Sequence, residues 1–381
     1  MEKRIHILKR WPCGGGMERI ARVHLEKGEP LIAMSGEGDP GPGVVQLGLR
    51  PGLRVREGVE RLGEALAPYP DAAVLHYNGY ALDWLDAARR RGPHLMYLHS
   101  DYPGLNHFIR ALRPYCGGIL CVNDRLAAGI LGSLGRADRL PVLSIDLPVR
   151  LPPLEARNRP KPRPPVIGFS GRVQIQQKRL DRLPGFLNAL DQKGIDYRME
   201  ILGDGTYLEP LKQKLGLRSK VRFLEHLEGE AYRNTLLSWT YILFLSDYEG
   251  LPLSLIEGVA AGAIPVYPDF HDGQDWVADL SPEFLYPKGN VKAAAGVIAE
   301  IEQRWVDPDR AAYREKSWQA IGPRSVTSYL GQFTGRVDAL VHEAVEPSPE
   351  MKPFAGWYPL WMYHRRQKIR QLGLAGYFRN H

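Results

Sequence analysis

The sequence predicts an α/β protein made of two doubly wound, parallel-sheet domains. Three observations carry that expectation. Short apolar runs of strand length alternate with helix-like segments along most of the chain, and repeated strand and helix units build parallel sheets. At 381 residues the chain is too long for one ordinary core. A stretch rich in Pro, Lys and Arg, Pro148 to Pro165, interrupts the rhythm, and such a segment is extended and stiff without building a core. The expected divisions are 1–155, 156–350 and a terminal segment 351–381, set off by the proline-bearing break at Glu346 to Pro353.

In the first half, Ile5 to Leu8 reads as the opening strand, and Met17 to Leu25 as a helix packing through Ile20, Ala21, Val23 and Leu25. Between them lie Gly14, Gly15 and Gly16. A Gly-rich turn there lets backbone approach a ligand, but it reads equally as a flexible turn. It lacks the dinucleotide spacing G-x-G-x-x-G. Further strands are expected at Leu31–Met34, Val44–Leu47, Ala73–His76, His94–Leu98, Gly118–Val122 and Val142–Ile145. Helices are expected at Val59–Leu66, around Leu82 to Leu85, and at Asp124–Leu131. His99 follows an apolar strand directly, a position that suits either chemistry or a satisfied structural histidine. Asp101 is a lesser candidate, and His76 and Asn78 lie at another strand end without an assigned role.

After the proline-rich stretch, Val166 to Ser170 restarts the strand pattern and runs into Gly171-Arg172, with Lys178-Arg179 before a helix. A guanidinium fork and an ammonium suit a diphosphate, and as isolated residues they are also ordinary surface charges. Strands at Tyr197–Leu202 and Val221–Leu224 follow, with helices at Leu208–Leu215 and Gly229–Trp239. Tyr241 to Leu245 is then a buried strand. It leads into Ser246-Asp-Tyr-Glu249-Gly250-Leu251-Pro252, a helix starting near Leu251 and carrying Glu257, a stop at Gly262 and a strand over Ala263–Tyr267. Glu249 thus lies at the carboxyl end of a strand, where open α/β sheets bind ligands. The free N–H groups of the helix start suit a phosphate. Glu257 suits paired sugar hydroxyls.

Composition narrows the function classes. The formal charge of +7 favours an anionic partner without choosing among nucleotide, nucleic acid and acidic lipid. No nucleic-acid recognition module is present, so no nucleic-acid partner is expected. No stretch is long and apolar enough to span a membrane, and the amino-terminal residues lack the apolar run of a signal peptide. Cys13, Cys116 and Cys121 form neither a metal-spaced cluster nor a disulfide framework. The expected setting is the reducing cytoplasm.

The stretch from Glu249 through Gly250, Pro252, Glu257, Ala260, Ala261, Gly262 and Pro265 resembles the E-x7-E signature of family 4 glycosyltransferases, retaining enzymes of the GT-B fold. The similarity spans roughly residues 4–340 and is most specific between Val166 and Val266. It implies two Rossmann-like domains facing across a cleft. It also implies transfer of a sugar, of hexosyl type, from a nucleoside-diphosphate sugar to a glycan, lipid-linked or small-molecule acceptor, with no metal and no cofactor. By the same resemblance Arg172 and Lys178 bind the donor pyrophosphate, Glu257 the ribose, and Glu249 the donor sugar region, with Gly250 and Leu251 beside it. Gly15, Gly16 and Glu18 match the glycine loop that faces the phosphates, and His99 matches a histidine beside the transferred sugar. Arg179 replaces the usual glycine after the lysine, which makes it a second candidate phosphate contact. His226 stands where many relatives carry glycine, and Pro268 to Asp275 departs from the usual loop near the donor sugar.

The alternatives are a nucleotide-sugar epimerase of similar architecture and a catalytically inactive nucleotide- or glycan-binding protein. The terminal segment combines Trp357, Trp361 and Tyr363 with Arg365, Arg366, Lys368 and Arg370. It reads first as a helix packing back on the first domain, and second as a peripheral contact with an anionic membrane surface.

Overall fold

The computed structural model describes residues 4–12, 15–79, 82, 84, 92–99, 105–134, 140–225, 227–249, 251–270 and 273–344. The chain divides into two units, Met1–Leu147 with Tyr329–His381, and Pro148–Ser328. The terminal aromatic and basic segment, Asp101, His226 and Gly250 lie outside the described residues.

The first unit holds a seven-stranded sheet of β1 (Arg4–Arg10), β2 (Leu31–Ser35), β3 (Val44–Gln46), β4 (Ala73–Tyr77), β5 (His94–Leu98), β6 (Gly118–Cys121) and β7 (Val142–Ser144). Their order is β3-β2-β1-β4-β5-β6-β7, and every pairing is parallel. β4 and β5 are buried at every position, as expected of strands covered on both faces. The Leu105–Leu112 helix was not anticipated, because it is short and follows the turn-like Asp-Tyr-Pro-Gly. It buries Leu105, Phe108, Ile109 and Leu112, a spacing of three and four residues. The glycine run is also not all loop. The first helix begins at Gly15, so Gly15 and Gly16 are its first turn, where N–H groups lack intrahelical partners.

The second unit holds β8 (Val166–Ser170), β9 (Arg198–Leu202), β10 (Val221–Leu224), β11 (Tyr241–Leu243), β12 (Ile264–Asp269) and β13 (Leu285–Pro287), in the order β10-β9-β8-β11-β12-β13, again all parallel. Gly168 sits mid-strand in β8, and a Cβ there would fall 1.9 Å from the Trp239 ring. The missing side chain is what lets the indole lie against the strand, with its N–H donating to Glu200 Oε2 at 2.8 Å. β13 escaped the sequence reading because three residues ending in Pro give little strand signal.

Two basic residues of the proline-rich stretch are docked into the second unit. Arg157 is fully buried, donates to Arg314 O and Ser317 Oγ, both at 2.7 Å, and lies over the Trp318 ring. Lys161 donates to Leu237 O and Ala261 O, at 2.9 and 2.8 Å. These carbonyls are at the carboxyl ends of the Gly229–Ser238 and Leu253–Ala260 helices, where cations are favoured. Long basic side chains thus dock this segment into the second unit by bonding main-chain oxygens, a use that composition does not reveal.

Candidate functional site

In the second sheet the strand order reverses between β8 and β11: β9 and β10 are added on one side and β12 and β13 on the other. A doubly wound sheet opens a crevice at that reversal, outside the carboxyl ends of the strands. The loop leaving β8 carries Arg172, Gln177 and Lys178, and the loop leaving β11 carries Ser246 and Glu249. Lys178 and Glu249 are both buried, and Lys178 Nζ donates to Glu249 Oε1 at 2.5 Å. Ser246 Oγ donates to the same oxygen at 2.6 Å, and Gln177 Nε2 donates to Glu249 Oε2 at 3.2 Å. The main chains are tied as well, since Asp247 N–H donates to Gln177 O at 2.9 Å.

Arg172 is exposed, and its guanidinium donates to Gln177 Oε1 at 2.8 Å. Arg179 is placed differently from the sequence expectation of a second phosphate contact. Its guanidinium donates to Asp181 Oδ1 and Oδ2, each at 3.0 Å, and to Asp247 Oδ2 at 2.6 Å. Arg182 pairs with the other Asp247 oxygen at 2.7 Å. Asp181, then Asp247, push the Arg179 group above its usual value. Arg179 also takes a left-handed backbone, with φ of 52°. The glycine expected at this position would meet that need without cost, and here the ion pairs hold an arginine in it.

Glu257 is half-buried on the Leu253–Ala260 helix, and its Oε2 accepts from Tyr232 O–H at 2.7 Å. Tyr232 Oη lies 3.3 Å from Ser170 Oγ at the end of β8. Glu257 is therefore held at the same end of the sheet as the Arg172 loop. The helix starts at Leu253 with Pro252 as its cap residue, two residues later than expected, and Leu251 is buried in the preceding turn. Pro252 offers no side-chain oxygen, so the first helical N–H groups receive no side-chain cap.

The site rests on a second turn. Gly203 has φ of 149°, and a Cβ there would fall 1.9 Å from Gly171 O. The Gly203-Asp204-Gly205 turn then bonds the Arg172 loop from below, with Gly171 N–H donating to Leu202 O and Val173 N–H to Asp204 O. The sequence reading missed Gln177, Ser246 and Tyr232. Gln177 and Ser246 had only proximity as an advance signal, one beside Lys178 and the other three residues before Glu249, and Tyr232 had none.

In the first unit His99 lies just beyond β5. Its ring stacks on Tyr77, with centroids 4.9 Å apart, and is tilted against Tyr97 at 4.3 Å. Burial lowers its imidazole to about 3, so it is neutral at ordinary pH. His99 Nε2 is shut off from solvent and has no hydrogen-bond partner among the described residues. Buried polar groups are nearly always hydrogen-bonded, so an open one asks for a physical reason.

The same unit contains an unexpected group. His6 Nε2 and His24 Nδ1 lie 2.8 and 2.7 Å from Glu29 Oε2. Among the described residues this is the only set of three metal-ligand side chains so close together. Every ring nitrogen is engaged, because Tyr77 Oη lies 3.1 Å from His6 Nδ1 and Tyr329 Oη 2.8 Å from His24 Nε2. Arg4 donates to Glu29 Oε1 at 3.3 Å. No sequence pattern pointed to this group, since its members belong to a strand, a helix and a loop with no metal spacing.

Residues 153–318 match the family model of glycosyl transferases group 1. That span contains Arg172, Lys178, Glu249 and Glu257, and it lies wholly within the second unit. The two Rossmann-like units have GT-B architecture. Solved structures of like fold include Anabaena HepE in complex with UDP and glucose, 14% identical, covering 88% of this chain and 100% of that one, with a TM-score of 0.69. Sucrose-phosphate synthase from Thermosynechococcus elongatus is 16% identical over 88% of this chain and 99% of its own, with a TM-score of 0.67. The tRNA-queuosine alpha-mannosyltransferase of Drosophila melanogaster is 26% identical over 116 residues, or 29% of this chain. The match spans only 28% of that relative's length. Among the described residues no helix is long and apolar enough to cross a membrane.

Proposed function

We propose that this protein is a retaining glycosyltransferase that moves a hexosyl group from a nucleoside-diphosphate sugar to a glycan, lipid-linked or small-molecule acceptor. The observation that carries the reading is the buried Lys178–Glu249 pair at the crevice between β8 and β11, with Arg172 exposed beside it. A cation and a carboxylate there complement the two halves of such a donor, its diphosphate and its sugar hydroxyls. Arg172 and Lys178 stabilise charge developing on the leaving diphosphate. Glu249 then accepts from donor hydroxyls, and Glu257 accepts from the ribose. His99 Nε2 meets a hydroxyl of the transferred sugar, and the first turn at Gly15 and Gly16 approaches the phosphates through backbone N–H groups.

In this mechanism the bond from the anomeric carbon to the diphosphate oxygen breaks. A bond from that carbon to the acceptor oxygen forms on the same face, and the acceptor proton passes to the leaving diphosphate. The side chains named here bind, orient and neutralise charge, and none forms a covalent intermediate.

The test is product analysis with UDP-glucose, UDP-galactose, UDP-N-acetylglucosamine and GDP-mannose, each offered with glycan, lipid-linked and small-molecule acceptors. The expected result is nucleoside diphosphate plus a glycoside that keeps the donor's anomeric configuration by NMR. An inverted anomer would remove the retaining mechanism. An epimerised donor, or binding without turnover across the panel, would overturn the transferase reading.

A further inference from the structure

The end of β4 contains a substitution of side chain for main chain. Tyr77 and Tyr97 are the last paired residues of β4 and β5, and Asn78 N–H still donates to Tyr97 O at 2.8 Å. In a parallel ladder the residue that donates in this way also offers its own carbonyl to the N–H two residues further along the neighbouring strand. That N–H belongs to His99. Asn78 instead turns away, with φ of 54°, and Gly79 follows at φ of 65°. The ladder continues through the side chain, because His99 N–H donates to Asn78 Oδ1 at 3.2 Å. The other end of the same amide reaches the first helix, where Asn78 Nδ2 donates to Met17 Sδ at 3.4 Å. Asparagine is suited to both demands, since it tolerates the left-handed region and carries a carbonyl and an amide on one short side chain.

We infer that Asn78 is a positioning residue that carries β5 one residue past β4, fixes the backbone of His99 and ties it to the helix that opens with Gly15 and Gly16. The inference rests on the proposed role of His99 at the transferred sugar. Two aromatic faces set the plane of the imidazole, and Asn78 sets where its backbone stands. The Asn78 side chain thus joins the glycine turn and the histidine, two elements whose sequence positions are far apart.

Three variants of the full chain separate the possibilities. Asn78→Gly keeps the left-handed backbone and loses the acceptor, Asn78→Asp keeps both, and His99→Ala removes the imidazole. Amide exchange by mass spectrometry should show the His99 N–H exchanging at least about tenfold faster in Asn78→Gly, with protection restored in Asn78→Asp. For whichever of the four nucleotide sugars above is turned over, Asn78→Gly should lower kcat about tenfold with donor KM changed less than about twofold. Asn78→Asp should recover most of that loss. Unchanged exchange at His99 in Asn78→Gly would overturn the inference, whatever the activity. So would a parental kcat in Asn78→Gly alongside a reduced kcat in His99→Ala. Full activity in His99→Ala would instead remove the role of His99 itself.

Discussion

Lys178 Nζ and Glu249 Oε1 lie 2.5 Å apart in the second unit, joined across two loops that leave neighbouring strands 71 residues apart in sequence. Neither group is open to solvent, and the carboxylate is further held by Ser246 and Gln177. A buried pair of this kind is a weak source of stability, because desolvation offsets much of the attraction. Its energetic signature lies in what happens when one member is removed.

Lys178→Ala strands a carboxylate in a buried place and should destabilise the protein by about 3 kcal/mol. Turnover should fall at least about 100-fold through loss of charge stabilisation. The double variant Lys178→Met, Glu249→Gln should regain most of the melting temperature and none of the turnover. Thermal unfolding beside nucleotide release separates the two effects. A parental melting temperature and rate in Lys178→Ala would dismiss the pair as incidental.

Arg172 and Glu257 should behave differently from the pair. Arg172 is exposed, so Arg172→Ala should leave stability within about 0.5 kcal/mol of the parent. Its affinity for UDP or GDP should drop about tenfold, the loss of one charge-assisted contact to phosphate. Glu257→Ala should weaken the free diphosphate and the whole donor alike, since both keep the ribose. Calorimetric titration measures each, and equal weakening is the discriminating result for Glu257.

Gly203→Ala should act on the site from a distance. The added Cβ meets Gly171 O at 1.9 Å, and backbone has to move to relieve it. The expected cost is about 2 kcal/mol, a fall of roughly 4–8 °C in a unit of this size. Diphosphate affinity should fall with it, because Gly171 leads into Arg172. A normal melting temperature by calorimetry would show that the turn does not brace the loop.

Stability should also fall in mild acid. Burial lowers the His24 imidazole to about 4, from 6.5. The folded state therefore disfavours the proton that the unfolded chain takes up. The contribution is full above pH 6.5 and is lost as pH falls toward 4, at most about 3 kcal/mol. Burial alone would raise the Glu29 carboxyl, but hydrogen bonds from His24 and His6 outweigh it and hold it well below its usual range. Its contribution is present above the unfolded value of 4.5 and disappears further into acid. His99, lowered by burial to about 3, adds in the same direction as His24. Melting temperature recorded from pH 4 to 8 should decline below pH 6.5. His24→Gln should flatten part of that decline, and an unchanged slope would contradict the assignment.

Much of the fold was legible because its signals are local. The apolar runs at Val166–Ser170 and His94–Leu98 became strands with those bounds, since parallel strands buried on both faces need nearly continuous apolar residues whatever their neighbours. The presence of Arg172, Lys178, Glu249 and Glu257 was legible for a related reason. Each lies in or just after a loop that leaves a predicted strand, where an α/β sheet presents its binding groups.

What the tertiary structure alone decided is pairing between distant segments. Sheet order brought β8 beside β11 and so closed Lys178 onto Glu249, while the neighbouring Arg179 was drawn into ion pairs with Asp181 and Asp247. Adjacent basic residues look alike in sequence, and only the direction each side chain takes from the backbone separates a buried partner of Glu249 from a strut. The same holds for Arg157 and Lys161, whose charge suggested solvent and whose acceptors are carbonyls of helices far along the chain. It holds for His6, His24 and Glu29, and for Asn78, whose side chain stands in for a main-chain carbonyl only because β4 lies beside β5. Local composition sets which segments form strands and helices, but a hydrogen bond requires two groups within about 3 Å. In these cases that distance is set by the packing of segments that sequence order keeps apart.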